Sequence, residues 1–383
     1  MENKEDRLAA YWITVAHIPG WTNAKINKLI TAIYKTNNSN WEEFFSLSSS
    51  DWKQLYDLNS QDCETLLKIK NKIASNAFLA ESLYNQGYEL IPLIHSDYSP
   101  ILKYNLKLTY SPPLLYIKGN KELLKKHSVA IVGSRDASEI SLKFTENIAK
   151  KALENDEVIV SGFARGVDRT ALNSALKYKG ESIIVLPQGI MTFESGFKNY
   201  YKPILDGKIL VLSVFHPQVH WNVKLAMARN PVIYGLAEKI YVAEASSRGG
   251  TYQGVIDGLR RGRKIYIRIP AENENNANKE ILNIDGTIPV DMFGKEMEPI
   301  KKTTDSINAE KEIEDLNTQI KKAISIKPRT AKEICTITGS DWSPQKMSKF
   351  LKNLDFLEAF KVGNANKYRI KGAIEEQETI DFN

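Results

Sequence analysis

Apolar positions fall in three successive rhythms along the chain. From residue 6 to about residue 80 the rhythm is helical: Leu8, Tyr11, Trp12 and Val15 recur at three- and four-residue spacing. Ile18-Pro19-Gly20-Trp21 interrupts, and Ile26, Leu29, Ile30 and Ile33 resume the pattern. Two helices joined by a Pro-Gly turn make a compact hairpin, which serves either nucleic-acid backbone or helical packing and dimerisation. Residues 41–45 and 51–52 start further short helices, with Asp51 expected as a cap.

Near Gly87 the rhythm changes to short, almost continuous apolar runs. Residues 88–94, 113–119, 129–132, 158–160, 182–186, 209–214, 240–244 and 264–269 read as strands. Helical stretches lie between them: Ile140, Phe144 and Ile148 share one face, as do Leu172, Ala175 and Leu176. Strands without polar alternation, separated by helices, indicate an α/β fold whose doubly wound parallel sheet is covered on both faces.

Residues 271–311 are rich in Asn, Glu, Lys and Thr and are expected to be a polar linker. Helical spacing returns with Ile313, Leu316, Ile320 and Ile324. Thr330 then sits three residues before Glu333, as in a capping box, and Ser343-Pro344 opens a third helix whose buried stripe is Met347, Phe350, Leu351 and Leu354. Two strand-like runs, 356–361 and 367–370, close this piece. Three helices and a two-stranded wing are the winged-helix order. The expected domains are therefore 1–84 helical, 85–270 sheet, 271–311 linker, 312–371 winged helix and 372–383 acidic tail.

Composition narrows the class. A chain of 383 residues with 42% hydrophobic content is globular and long enough for two or three domains. No apolar run approaches the roughly 18 residues of a membrane helix, and Met1-Glu2-Asn3-Lys4 lacks a signal peptide's pattern, so a soluble cytoplasmic protein without membrane partners is expected. Cys63 and Cys335 have no metal-type spacing and read as small buried residues. Net charge is only +6, so its distribution matters more than its sum. From Pro328 to Lys371 there are nine Lys or Arg against four Asp or Glu. Lys346, Lys349 and Lys352 recur opposite the apolar stripe, with Lys367 on the wing; they are expected as secondary DNA contacts. Arg260, Arg261, Arg263 and Lys264 form a further basic cluster, either a solvated face or a DNA contact.

The sharpest chemical signal is a pair of small-residue turns about 30 residues apart, each behind a strand. They are Gly133-Ser134-Arg135 and Ser161-Gly162-Phe163-Ala164-Arg165-Gly166-Val167-Asp168. Glycine lets a phosphate approach backbone N–H groups at a helix start, where the dipole is positive. Ser134, Arg135, Ser161 and Arg165 add hydroxyl and guanidinium donors. Asp168 caps the next helix or tethers Arg165. A third such turn, Gly249-Gly250-Thr251, follows the 240–244 strand, and Arg229-Asn230-Pro231 adds a further phosphate contact. Catalytic sets are lacking: Pro217 separates His216 from His220, and no Gly-Lys-Ser/Thr phosphate loop is present, so no metal, no cofactor and no enzymatic activity are expected.

On these residues, with Asp97-Tyr98-Ser99-Pro100, residues 113–119, Glu244-Ala245 and Gly262-Arg263, the chain resembles the DprA/Smf family of DNA-processing proteins. The resemblance implies an extended Rossmann-like sheet between an N-terminal SAM/helix-hairpin-helix-like domain and a C-terminal winged helix. It also implies single-stranded-DNA binding in a basic pocket, homodimerisation, and loading of a RecA recombinase in natural transformation. Gly133, Ser134, Arg135, Ser161, Gly162, Arg165 and Gly166 would then contact DNA phosphates, with Arg229, Asn230, Gly249, Gly250 and Thr251 beside them. The sequence departs from the family at Ala171-Leu172, Pro187-Gln188-Gly189, residues 213–217, Pro231 and the turn Gly249-Gly250-Thr251-Tyr252. Two other readings stay open. One is a nucleotide-binding or nucleotide-hydrolysing protein related to nucleoside-monophosphate phosphoribohydrolases, although Gly254 stands where their glutamate falls and Glu244 would have to replace it. The other is a winged-helix regulator acting on duplex DNA.

Overall fold

The computed structural model describes residues 4–36, 39–247, 249–298, 304–325, 327–354, 356–363 and 365–371. Residues 1–300 form one compact unit and the remainder a second. The acidic tail expected at 372–383 and the turn residue Asn364 lie outside the described residues.

Six helices open the chain: α1 (Lys4–Ala16), α2 (Asn23–Thr31), α3 (Trp41–Ser46), α4 (Ser49–Tyr56), α5 (Ser60–Lys70) and α6 (Ile73–Asn85). The expected break between α1 and α2 is a turn in which Gly20 takes φ 78, a region that only glycine enters without strain. Asp51 is not the cap of α4. Ser48 is, accepting from the Asp51 N–H, while the Asp51 carboxylate answers the Ser48 N–H. The apolar stripe of α1 and α2 packs on Trp41, Phe44 and Trp52, and the same core continues into Leu114, Tyr116, Ile184 and Val211 of the sheet. The hydrophobic core of residues 1–84 is thus continuous with one face of the strands.

Nine strands make one sheet: β1 (Glu89–Pro92), β2 (Leu114–Gly119), β3 (Ser128–Val132), β4 (Val158–Ser161), β5 (Ser182–Val185), β6 (Ile209–Ser213), β7 (Lys239–Val242), β8 (Ile265–Arg268) and β9 (Thr287–Val290). Their order is β1-β2-β6-β5-β4-β3-β7-β8-β9. The strands from β6 through β9 are parallel, whereas β1 and β2 form an antiparallel edge that the expectation of a parallel sheet did not include. The helices between the strands are α7 (Pro100–Tyr110), α8 (Glu139–Glu154), α9 (Val167–Lys177), α10 (Glu194–Asn199), α11 (Tyr201–Leu205), α12 (Val223–Ala228), α13 (Asn230–Leu236), α14 (Gly250–Arg260) and α15 (Asn278–Leu282).

Strand alternation decides which face each helix covers. Val129 and Ile131 of β3 meet Phe144 and Ile148 of α8 and Ala171 and Ala175 of α9. Ala130 and Val132 point the other way, into the core with α7, α13 and α14. Both faces are dry, which is why β3 carries no exposed residue. On α8, however, Ile140 is exposed, so that helix's buried stripe begins at Ser141 and Phe144.

The expected linker is mostly not one. Ile281 of α15 is fully buried, and β9 adds a ninth strand by pairing with β8. Its few apolar residues suffice because an edge strand needs only one buried partner face, and Pro289 is tolerated there. After residue 303, α16 (Thr304–Ser325) begins well before Ile313. It is followed by β10 (Arg329–Thr330), α17 (Ala331–Thr338), α18 (Pro344–Leu351), β11 (Leu357–Val362) and β12 (Ala365–Ile370), the strands ordered β10-β12-β11. Thr330 and Ser343 cap α17 and α18, each through its side-chain oxygen, and Glu333 completes the box at α17. Ile320, Ile324, Ile334, Met347, Leu351 and Tyr368 form this unit's core.

Candidate nucleic-acid interface

The sheet order resolves where the three turns lie. From β3 the chain winds outward through β4, β5 and β6 on one side and through β7, β8 and β9 on the other. The carboxyl ends of β3 and β7 therefore flank the point at which the winding reverses, the usual ligand crevice of an open α/β sheet. A cleft of about 380 Å³ opens there, lined by Gly133, Ser134, Arg135 and Asp136 after β3, and by Ser246, Gly249, Gly250 and Thr251 after β7.

Two glycines interlock the β3 and β4 turns. A Cβ on Gly133 would stand 2.5 Å from the Val167 side chain, and one on Gly166 would stand 2.3 Å from the Ser134 carbonyl oxygen. Gly166 also takes φ 77. With these clashes absent, the Val167 N–H donates to the Ser134 carbonyl at 3.2 Å, and the Ser134 N–H donates to the Glu244 carbonyl at 2.9 Å, tying all three turns together.

The helix starts differ in what they leave free. The α8 N-terminus is closed: the Glu244 carboxylate accepts from the Ser138 N–H (2.9 Å) and from the Ser138 and Ser141 hydroxyls (2.7 and 2.8 Å). By contrast α14 begins at Gly249 and Gly250 with no side-chain cap. Gly249, Gly250 and Thr251 line the cleft, where the positive end of the helix dipole lies, and the Gly249 N–H donates to the Ser246 carbonyl at 3.1 Å. The exposed Arg135 stands on the same cleft. Arg165 is also exposed, and its guanidinium meets the exposed carboxylate of Asp136 at 2.6 Å.

Other expected ligands turn inward. Ser161 is buried, and its hydroxyl donates to the Ile131 and Asp168 carbonyls, so it holds β4 to β3 rather than meeting a phosphate. Arg229, only 5% exposed, donates to the carbonyls of Gly162 and Val185 and pairs with Asp168 at 3.5 Å. Gly162 has no Cβ because the Arg229 guanidinium occupies that space. Asp168 thus tethers Arg229, not Arg165, and also accepts from the Ala164 N–H. Burial dominates this pair: it pushes the Asp168 carboxyl above its usual range and the Arg229 guanidinium below its own, against their mutual attraction. Asn230 links the start of α13 to the Gly250 carbonyl at 3.3 Å while still lining the cleft.

A second cleft of about 350 Å³ shares Arg135, Ala164, Ala226 and Arg229 with the first and runs past Phe163, Phe193 and Trp221. Phe163 takes φ 65, a strained conformation for a bulky residue. It is held there by Arg169 stacked at 3.7 Å and by Phe193 and Tyr200 at ring distances of 4.8 and 5.6 Å. Trp221 is half-exposed beside Val223 and Met227, which project from α12. The sequence reading did not single these residues out. A lone tryptophan between His220 and Asn222, in a polar segment, was the available signal.

The carboxylates in and around the cleft each have partners or lie apart from it. Glu244 is spent on α8, Gly254 is buried with a hypothetical Cβ 2.9 Å from the Tyr234 hydroxyl, and the carboxylates lining the cleft are Asp136 and Asp168, each already paired. The His216 ring lies edge-on to His17 at 5.4 Å. In the C-terminal unit Lys346, Lys349 and Lys352 are exposed, with the Lys346 ammonium 4.2 Å over the Trp342 ring, whereas Lys367 is half-buried. Among the described residues no helix is long and apolar enough to cross a membrane.

Comparison with known proteins adds independent support. The "DNA processing protein DprA" of Streptococcus pneumoniae is 36% identical over 156 residues, covering 41% of this chain and 55% of that protein. The Bacillus subtilis protein of the same name is 27% identical over 186 residues, covering 47% of this chain and 60% of the relative. The chain thus spans little more than half the length of these curated relatives. The X-ray structure of DNA processing protein A from Streptococcus pneumoniae superposes with a TM-score of 0.60 at 26% identity, covering 74% of this chain and 94% of that one. The sequence profile described as DNA recombination-mediator protein A matches residues 89–286, just over half of the chain and the whole span from β1 to the start of β9. The chain belongs to the DNA recombination-mediator protein A family.

Proposed function

We propose that this protein binds single-stranded DNA at the β3/β4/β7 crevice, protects it, and delivers it to a RecA-type recombinase, acting as a cytoplasmic homodimer. One observation carries the reading: an uncapped glycine helix start and the exposed Arg135 line one crevice, which continues into an aromatic-lined cleft bearing the exposed Arg165. Backbone N–H groups and guanidinium groups match phosphates. Trp221 and Phe163 match the faces of unpaired bases, which a duplex does not present. The contacting set is Gly133, Ser134, Arg135, Arg165, Gly166, Gly249, Gly250 and Thr251, with Ser161, Gly162 and Arg229 building the wall behind it. Family membership supports a DNA-processing role rather than an enzymatic one. The C-terminal unit, read as a winged helix, supplies auxiliary contacts through Lys346, Lys349 and Lys352.

Fluorescence anisotropy with an oligothymidylate tests the reading. Affinity falls steeply with salt, and Arg135→Ala/Arg165→Ala lowers the slope of log K against log salt by about 1.4, two phosphate contacts at roughly 0.7 each. Unchanged affinity and slope in the double variant would remove the crevice as the DNA site.

A further inference from the structure

We propose that the outer face of α7, together with the end of α14, carries the single strand onward after it leaves the phosphate crevice. This rests on the single-strand reading of that crevice and extends it to a second surface.

The crevice does not end at Thr251. A further cleft of about 300 Å³ shares Met227, Asn230 and Tyr234 with it and runs along α14 past Gln253 to Arg260 and Arg261. At its far end the Arg261 guanidinium lies 4.0 Å over the Tyr110 ring. The two clefts thus adjoin through shared residues, and Arg261 at the end of the second touches Tyr110 of α7.

That helix has two unlike faces. Leu102 and Leu106 are buried, pressed against Gly235 of α13. The other face carries Lys103, Tyr104, Lys107, Leu108 and Tyr110, all exposed, with Tyr104 at 83%. Tyr104 presents its ring to solvent, and Tyr110 presents its ring to Arg261. Lys107 lies between the rings, while the Lys103 ammonium donates to the Leu93 carbonyl at 3.3 Å, and Arg260 is exposed at the end of α14. Against these cations stands Asp257, whose carboxylate is held by Arg261 Nε at 2.8 Å. Cations interleaved with aromatic faces are what an unpaired strand needs: one set for its phosphates, the other for its bases. Arg263, by contrast, is spent on Asn105 and the Ala237 carbonyl and pins α7 to the sheet, so the surface is rigid.

Arg261 already shows how a base would lie on Tyr110. A planar cation occupies the ring face in the free protein, and α7 breaks its helical geometry at Lys107, with φ 54, three residues before Tyr110.

The test compares oligothymidylates of about 6 and about 20 nucleotides on the full chain, in wild type and in Tyr104→Ala/Arg260→Glu, two exposed positions outside the phosphate crevice. The wild type should bind the longer strand at least about tenfold more tightly. The variant should keep its affinity for the short strand and lose about tenfold for the long one, with a salt slope lower by about 0.7. Equal affinity of the wild type for both lengths, or a length gain unaltered in the variant, overturns the α7 path and leaves the crevice standing. Absence of any wild-type binding overturns the single-strand reading and this extension with it.

Discussion

Replacing Arg229 by methionine separates a structural guanidinium from a ligand-binding one. Methionine keeps the aliphatic stem but removes the donors to the Gly162 and Val185 carbonyls and the cation beside Asp168, all in a site where Arg229 is only 5% exposed. Breaking a buried ion pair by deleting one partner costs about 3–5 kcal/mol, and an orphaned buried carbonyl about 1–3 kcal/mol. Asp168 retains the Ala164 N–H, so the terms overlap and about 3–5 kcal/mol is the expected total. At roughly 2 °C per kcal/mol for a unit of this size, the melting temperature should fall by about 6–10 °C. Adding Asp168→Asn removes the stranded charge, so the double variant should lose less than the sum of the two single changes by at least about 1 kcal/mol. Urea and thermal unfolding followed by circular dichroism measure both. An Arg229→Met protein that melts like wild type yet no longer binds oligonucleotide would refute the structural role and return Arg229 to the ligand set.

Other outcomes follow from the same contacts. Asp136→Asn frees Arg165 from an exposed ion pair. It should change stability by less than about 0.5 kcal/mol and tighten oligonucleotide binding about two- to fivefold at low salt, an advantage that vanishes at high salt in an anisotropy titration. Gly166→Ala meets the Ser134 carbonyl at 2.3 Å, whereas Gly20→Ala has nearly the same φ and open space around it; the former should cost at least about 2 kcal/mol more in urea melts, and equal costs would deny the interlocked turns. His17 donates to or accepts from the Tyr116 hydroxyl at 2.9 Å, and burial, then His216, lowers its pKa from 6.5 to about 3. The unfolded chain therefore binds a proton that the folded chain refuses between those values. Its stability contribution is full above about pH 6.5 and is lost as pH falls toward 3, at up to about 1.4 kcal/mol per unit. His17→Gln should flatten that acid limb, and an unaltered limb in unfolding titrations would show that His17 does not set it.

Local chemistry made much of this fold legible. Continuous β-branched runs such as Val129-Ala130-Ile131-Val132 belong to strands buried on both faces, and Thr330 with Glu333, or Ser343 before Pro344, announce helix starts through contacts three residues away. What failed depended on distant partners. Strand β9 is short and interrupted by Pro289, and only its pairing with β8 identifies it. Ser161 and Arg229 have donor chemistry suited to phosphate. The carbonyls of Ile131, Gly162 and Val185 that consume it come from other strands and turns. Likewise the crevice required knowing that β7 lies beside β3, and Glu244 looked available until α8 was seen to hold it. The aromatic wall at Phe163 and Trp221 was hidden because its rings come from separate segments of the chain.

The most direct test of the crevice is a crystal structure of the full chain with a short oligothymidylate. A phosphate should lie at the start of α14, within hydrogen-bond reach of the Gly250 and Thr251 N–H groups and of the Arg135 guanidinium, with a base against Trp221. A strand bound elsewhere, with this helix start solvated, would contradict the account.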